Sequence, residues 1–131
     1  MLLRQSYRGL CCINLHGHVI YRYDISGWYG LAVDQQGHVY ISGLHSHAIH
    51  RLSPDGTFRD IVLSEHDGVD GPRGITFNND FTKLFIINEE GKTVLVYSCK
   101  WKILYFVNEG FLYFVNEGFL YFVNEGYLYF L

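Results

Sequence analysis

The densest group of residues able to do chemistry is His45-Ser46-His47 with His50. Residues i and i+2 share a face of an extended segment. His45 and His47 could therefore present two imidazoles together to zinc or copper. A metal centre needs three or four ligands. No acid or cysteine stands near these histidines in sequence, so a solvated loop is expected instead. Glu65-His66-Asp67 has the types of an acid–base pair. No nucleophile accompanies it, and polar residues are expected in a connection. Asp34, Asp55 and Asp67 could suggest calcium. Each sits in or beside a glycine turn, where aspartate bonds its own backbone. No catalytic residue, metal or cofactor is therefore expected, and the chain is expected not to be an enzyme.

The elements that position these residues are short strands. Gly30 to Leu63 reads as four runs: GLAVD, HVYIS, AIHRL and TFRDIVL. They are β-branched and aromatic, and they stop at Gln35-Gln36-Gly37, at Gly43 and at Ser53-Pro54-Asp55-Gly56. That spacing signals an antiparallel meander. Proline presets φ, aspartate bonds its backbone and glycine accepts positive φ, so Pro54-Asp55-Gly56 is a turn with a mechanism. Gly74-Ile75-Thr76-Phe77-Asn78 restarts the pattern 44 residues after Gly30. Two further runs, FTKLFIIN and KTVLVYS, flank a turn at Glu89-Glu90-Gly91. Upstream, Leu10 to Tyr23 matches the second half of the central unit, and residues 1–9 read as a frayed lead-in or the remnant of an earlier strand. Four strands in roughly 35 to 45 residues is the size of one β-propeller blade. The expected fold is all-β: a partial, open β-propeller of about two and a half four-stranded blades over residues 1–103, followed by a short-strand repeat tail over 104–131.

Composition narrows the partners. The formal net charge is −3. All Lys and Arg precede Ile103, where an equal number of acids balances them. No basic field exists to attract nucleic acid, so RNA binding is disfavoured. No run approaches the roughly 20 apolar residues of a membrane helix, and no membrane partner is expected. The start, MLLRQSY, has no apolar stretch suited to a signal peptide. Cys11, Cys12 and Cys99 give an odd count without metal spacing and read as buried, reduced thiols of a cytoplasmic protein.

The tail repeats an eight-residue unit, FLYFVNEG, almost without variation. Such near-identity suggests a translated tandem repeat in place of a natural end, with a functional tail as the alternative. Asn-Glu-Gly suits three-residue hairpin loops. Strongly β-prone strands with charge only in their turns leave an edge open. Self-association through the tail is expected, as is better solubility on deletion after Val107. The first unit, Ile103 to Val107, is expected to pair with Thr93–Ser98 and complete the third blade.

The pieces GLAVDQQGHVYISG, SHAIHRLSPDG and GPRGITFNNDFTKLFIINEEGKTVLVYSC resemble NHL repeats, most of all those ending tripartite-motif proteins. The resemblance covers about residues 10–99. It implies a recognition module of the ubiquitin pathway without the zinc-bearing catalytic part, which three cysteines cannot build. It implies a protein partner first. An RNA-binding domain, or a fragment of a metal-dependent propeller hydrolase or lyase, is the alternative. In propellers, ligands commonly meet the rim made by loops between second and third strands and by connections between blades. Here those are Gly43–His47, Glu89–Lys92, Ser26–Tyr29 and Ser64–Arg73. The candidate rim residues are Trp28, Tyr29, His45, His47, Arg73 and Lys92, with Trp28, Tyr29 and Arg73 the types that anchor interfaces. The competing reading packs Trp28 and Tyr29 between blades.

Overall fold

The computed structural model describes residues 2–6, 9–25, 27–101, 103–108, 112–114, 120–124 and 127–130. Among these residues, four antiparallel sheets follow one another along the chain. The first contains β1 (Leu2–Ser6), β2 (Gly9–Ile13) and β3 (Val19–Asp24). The second contains β4 (Trp28–Val33), β5 (Val39–Gly43), β6 (Ala48–Leu52) and β7 (Arg59–Leu63). The third contains β8 (Ile75–Phe77), β9 (Lys83–Asn88), β10 (Thr93–Ser98) and β11 (Ile103–Asn108). The tail adds β12 (Leu112–Phe114), β13 (Leu120–Asn124) and β14 (Tyr127–Phe130). Within each sheet the strands lie in chain order, as the meander reading requires.

The second sheet is covered on both faces, which is why β5 is buried along its whole length. Side chains alternate across a strand. Val39 and Ile41 join Leu10, Cys12, Tyr21 and Leu52 in a core shared with the first sheet. Tyr40 joins Ile49, Leu63, Ile75, Leu84, Ile86, Leu95 and Tyr97 in a core shared with the third. Each fully buried aliphatic side chain contributes about 1.5–3 kcal/mol. One glycine sets how closely the inner strands approach. A Cβ on Gly30 would stand 2.5 Å from the Arg73 carbonyl oxygen and 2.9 Å from the Ile75 nitrogen. Ser42 bridges the same gap: its hydroxyl accepts from Gly30 N–H at 2.7 Å and donates to the Arg73 carbonyl.

Gly30 and Gly74 do hold equivalent places, since Ile87 N–H donates to the Gly74 carbonyl in line with β8. The period is not uniform. The turn from Asp34 to His38 has a counterpart from Asn78 to Lys83 that is one residue longer. Every later element of the third sheet is displaced by that residue. The outer turn expected near Lys100 therefore centres on Trp101, which donates to the Ser98 carbonyl as Gly56 donates to Ser53. β11 pairs with β10 through Thr93↔Asn108 to Val96↔Tyr105, so the first tail unit completes the third sheet as expected. Later units form their own antiparallel sheet; of the turns expected at 108–110, 116–118 and 124–126, Asn108 and Asn124 end β11 and β13, and the other residues lie outside the described residues.

Of the two readings of the lead-in, the earlier strand holds at 2–6: β1 pairs with β2 over Leu2↔Ile13 to Ser6↔Gly9 and adds a third strand to the expected half-blade. Two expectations are corrected. Trp28 and Tyr29 do not form a connection but begin β4. A register irregularity between Trp28 and Gly30 lets the strand start early. Cys99 is only half-buried, whereas Cys11 and Cys12 are buried; all three are free thiols.

Candidate functional site: a rim between sheets

Loops that join second to third strands, and connections between sheets, meet at one end of the molecule. Backbone hydrogen bonds tie them together. Leu44 N–H donates to Gly27 O at 2.7 Å, Glu89 N–H to Asp70 O at 2.6 Å and Glu90 N–H to Gly71 O at 3.0 Å. The long connection folds into a short 3₁₀ turn, Glu65–Asp67. Asp67 accepts from Ser64 N–H at 2.9 Å, its carbonyl accepts from the Tyr97 hydroxyl, and Val69 plugs the core. Asn88, 1% exposed, accepts from Asp70 N–H at 2.8 Å and donates to the Gly68 carbonyl at 2.9 Å. A buried polar side chain satisfied on both ends fixes a connection firmly.

The six candidate residues reach this rim in different states. Tyr29 is 60% exposed, and the Arg73 guanidinium lies 5.5 Å from its ring centroid. Trp28 packs against the core shared by the first two sheets, so the competing reading holds for Trp28 and fails for Tyr29. His45 is exposed, and its ring lies against Gly27 where a Cβ would stand. His47 accepts from Gly71 N–H at 2.9 Å through Nδ1, which also stands 3.3 Å from Asp70. Its Nε2 lies 4.0 Å from Glu65. Lys92 is exposed at the end of the turn Glu89–Gly91.

The histidine cluster does not converge. His50 is 9% exposed and faces the first sheet, away from His45 and His47. Its Nδ1 meets the Tyr23 hydroxyl at 2.8 Å and its Nε2 meets the Ser46 hydroxyl at 2.9 Å. Burial pushes its pKa below the ordinary 6.5 and that of Tyr23 above 10.0. A Cβ on Gly43 would strike Ser46 Oγ, so glycine makes space for this chain of hydroxyl, imidazole and phenol. It pins the loop after β5 onto the neighbouring sheet. The sequence placed Tyr23 and His50 on separate strands 27 residues apart and carried no signal that they meet. Among the described residues, no three His, Cys, Asp or Glu are arranged to hold a metal.

The three aspartates keep backbone roles. Asp34 accepts from Gln36 and His38 N–H, both at 2.9 Å. Asp55 accepts from Thr57 N–H at 3.0 Å, from the Thr57 hydroxyl at 2.7 Å and from the Ser53 hydroxyl at 2.8 Å. Those bonds, the Thr57 backbone first, pull its pKa down to about 2. In Glu65-His66-Asp67, Asp67 caps its own turn and His66 points to solvent.

The rim is acidic. Glu65, Asp67, Asp70, Glu89 and Glu90 are all exposed there, against Arg73 and Lys92. Arg51 and Arg59 lie elsewhere. Arg51 binds Asp60 through two bonds of 3.0 and 2.6 Å, and Arg59 lies 5.0 Å from the Tyr23 ring centroid. Arg51, Arg59 and Arg73 therefore do not share a basic surface.

Similar architecture recurs in solved β-propeller proteins. The chain superposes on virginiamycin B lyase from Staphylococcus aureus with a TM-score of 0.65 at 13% identity, covering 95% of this chain and 48% of that one. Against the nidogen/laminin complex the TM-score is 0.64 at 20% identity, with 94% and 52% covered. Against a luciferin-regenerating enzyme it is 0.65 at 17% identity, with 86% and 42% covered. No protein-family model and no curated protein matches the sequence. The chain folds as a partial β-propeller and spans about half the length of the solved chains it matches. At these identities the likeness is one of fold, which lyases and binding proteins share.

Proposed function

We propose that the chain is a non-enzymatic recognition module that binds a basic segment of a partner protein at the acidic rim, in the setting of an NHL-type, tripartite-motif-like protein. The observation that carries this reading is the exposed Tyr29, backed by Arg73, at a rim whose two interlocked connections carry five exposed carboxylates. Aromatic and arginine side chains anchor interfaces. A surface of one sign steers a partner of the other and sets register. The same field repels phosphates, which disfavours RNA.

A fluorescence-anisotropy titration tests it. A Lys/Arg-rich peptide is expected to bind, with affinity falling as salt rises. An acidic peptide of equal length and single-stranded RNA are expected to bind weakly. Tyr29→Ala should weaken the basic peptide by about ten-fold, the scale of an interface anchor. Equal binding of all three probes, or RNA binding tighter than about micromolar at physiological salt, contradicts the reading.

A further inference from the structure

The opposite end of the sheets holds a cavity of about 260 Å³ between the second and third sheets. Asp34, Tyr40, Phe77, Phe81 and Trp101 line it. The four rings form a run. Centroids are 5.7 Å apart from Phe81 to Phe77, 5.1 Å from Phe77 to Tyr40 and 5.8 Å from Tyr40 to Trp101.

Both rings at the ends of the run stand on left-handed backbone, φ 59° at Phe81 and 61° at Trp101. Bulky residues rarely adopt it. The second sheet shows what these turns ordinarily contain. Gly37 and Gly56 occupy the matching places at φ 87° and 73°. Gly37 donates to the Asp34 carbonyl as Phe81 donates to Asn78, and Gly56 donates to Ser53 as Trp101 donates to Ser98. Aromatic residues thus replace glycine at the two turns that the third sheet brings to the cavity, while the turn from Asp34 to His38 keeps Gly37. Strain of this kind persists where the surroundings over-determine it, and it clusters at ligand sites. The Cys99 thiol, which donates to the Phe81 carbonyl at 3.0 Å, helps to hold one of the two.

The charge at the cavity is negative. Arg51 also lines it; its guanidinium makes two bonds to Asp60 and also faces the Tyr40 hydroxyl, and the Arg51–Asp60 pair is neutral as a whole. Asp34 keeps its carboxylate among neutral donors: the Tyr40 hydroxyl at 3.1 Å and two backbone N–H groups. His38 Nδ1 lies 3.3 Å away without an aligned hydrogen bond. Aromatic faces attract a cation through their quadrupoles, most strongly for tryptophan, and a carboxylate alongside adds to the attraction.

We propose that this cavity binds a quaternary ammonium group, with Trp101 and Phe81 flanking it and Asp34 supplying the charge. The site is independent of the rim, and either reading survives the failure of the other.

Choline and its neutral carbon isostere, 3,3-dimethyl-1-butanol, are titrated against the full chain while their methyl signals are followed by NMR. Choline is expected to bind at about millimolar or tighter, and about ten-fold tighter than the isostere. Two variants keep the backbone intact. Trp101→Gly restores the residue that suits positive φ. Asp34→Asn retains the acceptor that Asn14 and Asn78 supply in the matching turns. Each should lose about five-fold or more of choline affinity with unchanged circular dichroism. A trimethyl-lysine peptide titrated alongside separates sources: tighter binding than choline indicates a methylated protein, weaker binding a small molecule. Equal binding of choline and the isostere, unaltered affinity in both variants, or no binding by any cation overturns the proposal.

Discussion

His50 shows what a single side chain contributes beyond its type. From the sequence it belonged with His45 and His47; in the fold it lies between Ser46 and Tyr23 and is buried. Its folded pKa lies below the ordinary 6.5, so the unfolded chain binds the proton first as pH falls. The stability it supports is complete above about pH 6.5 and is lost as pH falls through the lower folded value. Chemical denaturation at pH 7.5 and 5.5 should show that loss in the native chain and a smaller one in His50→Gln. Gly30 is the complementary case, legible in the sequence as a repeat marker but not as a packing constraint. Its missing Cβ lets the Arg73 carbonyl and Ile75 approach. Gly30→Ala should therefore cost about 1–3 kcal/mol, measured by thermal or urea unfolding, because backbone must move to admit the methyl.

Among the elements, the strands were the most legible. Their β-branched runs and glycine turns reproduce local chemistry that needs no knowledge of the partner strand. What remained hidden depended on distant contacts. Trp28 and Tyr29 were read as a connection because Gly30 opens the repeat, yet pairing with Gly43 carries β4 two residues earlier. The extra residue between Asn78 and Lys83 displaced the last turn by one place, a detail visible only once the pairing is known. The tail shows both sides. Its first unit pairs with β10, while the others build a sheet of their own. A chain ending at Asn108 should keep the first three sheets, with a cooperative unfolding transition like that of the full chain. It should sediment as a smaller species, since the open edge of the tail sheet favours association. A chain ending at Lys102 also removes β11 and uncovers β10, and it should unfold at lower denaturant. If the chain ending at Asn108 aggregates while the full chain is monomeric, the tail covers the sheets instead of associating.

At the scale of the whole molecule, the propeller architecture was legible from repetition at a 44-residue spacing, and the rim from topology alone. Its sign was not, because it arises where Glu65, Asp67 and Asp70 on one connection meet Glu89 and Glu90 on a loop of the next sheet. A neutral body by sequence thus becomes a surface with an acidic end. That end is the basis of the proposed recognition of a basic protein segment. Hydrogen–deuterium exchange of the full chain, with and without a saturating Lys/Arg-rich peptide, tests this most directly. Protection is expected at residues 44–47, 64–73 and 89–92, with none at the turns 34–38 and 53–58. Protection at those turns, or at no part of the rim, would contradict it.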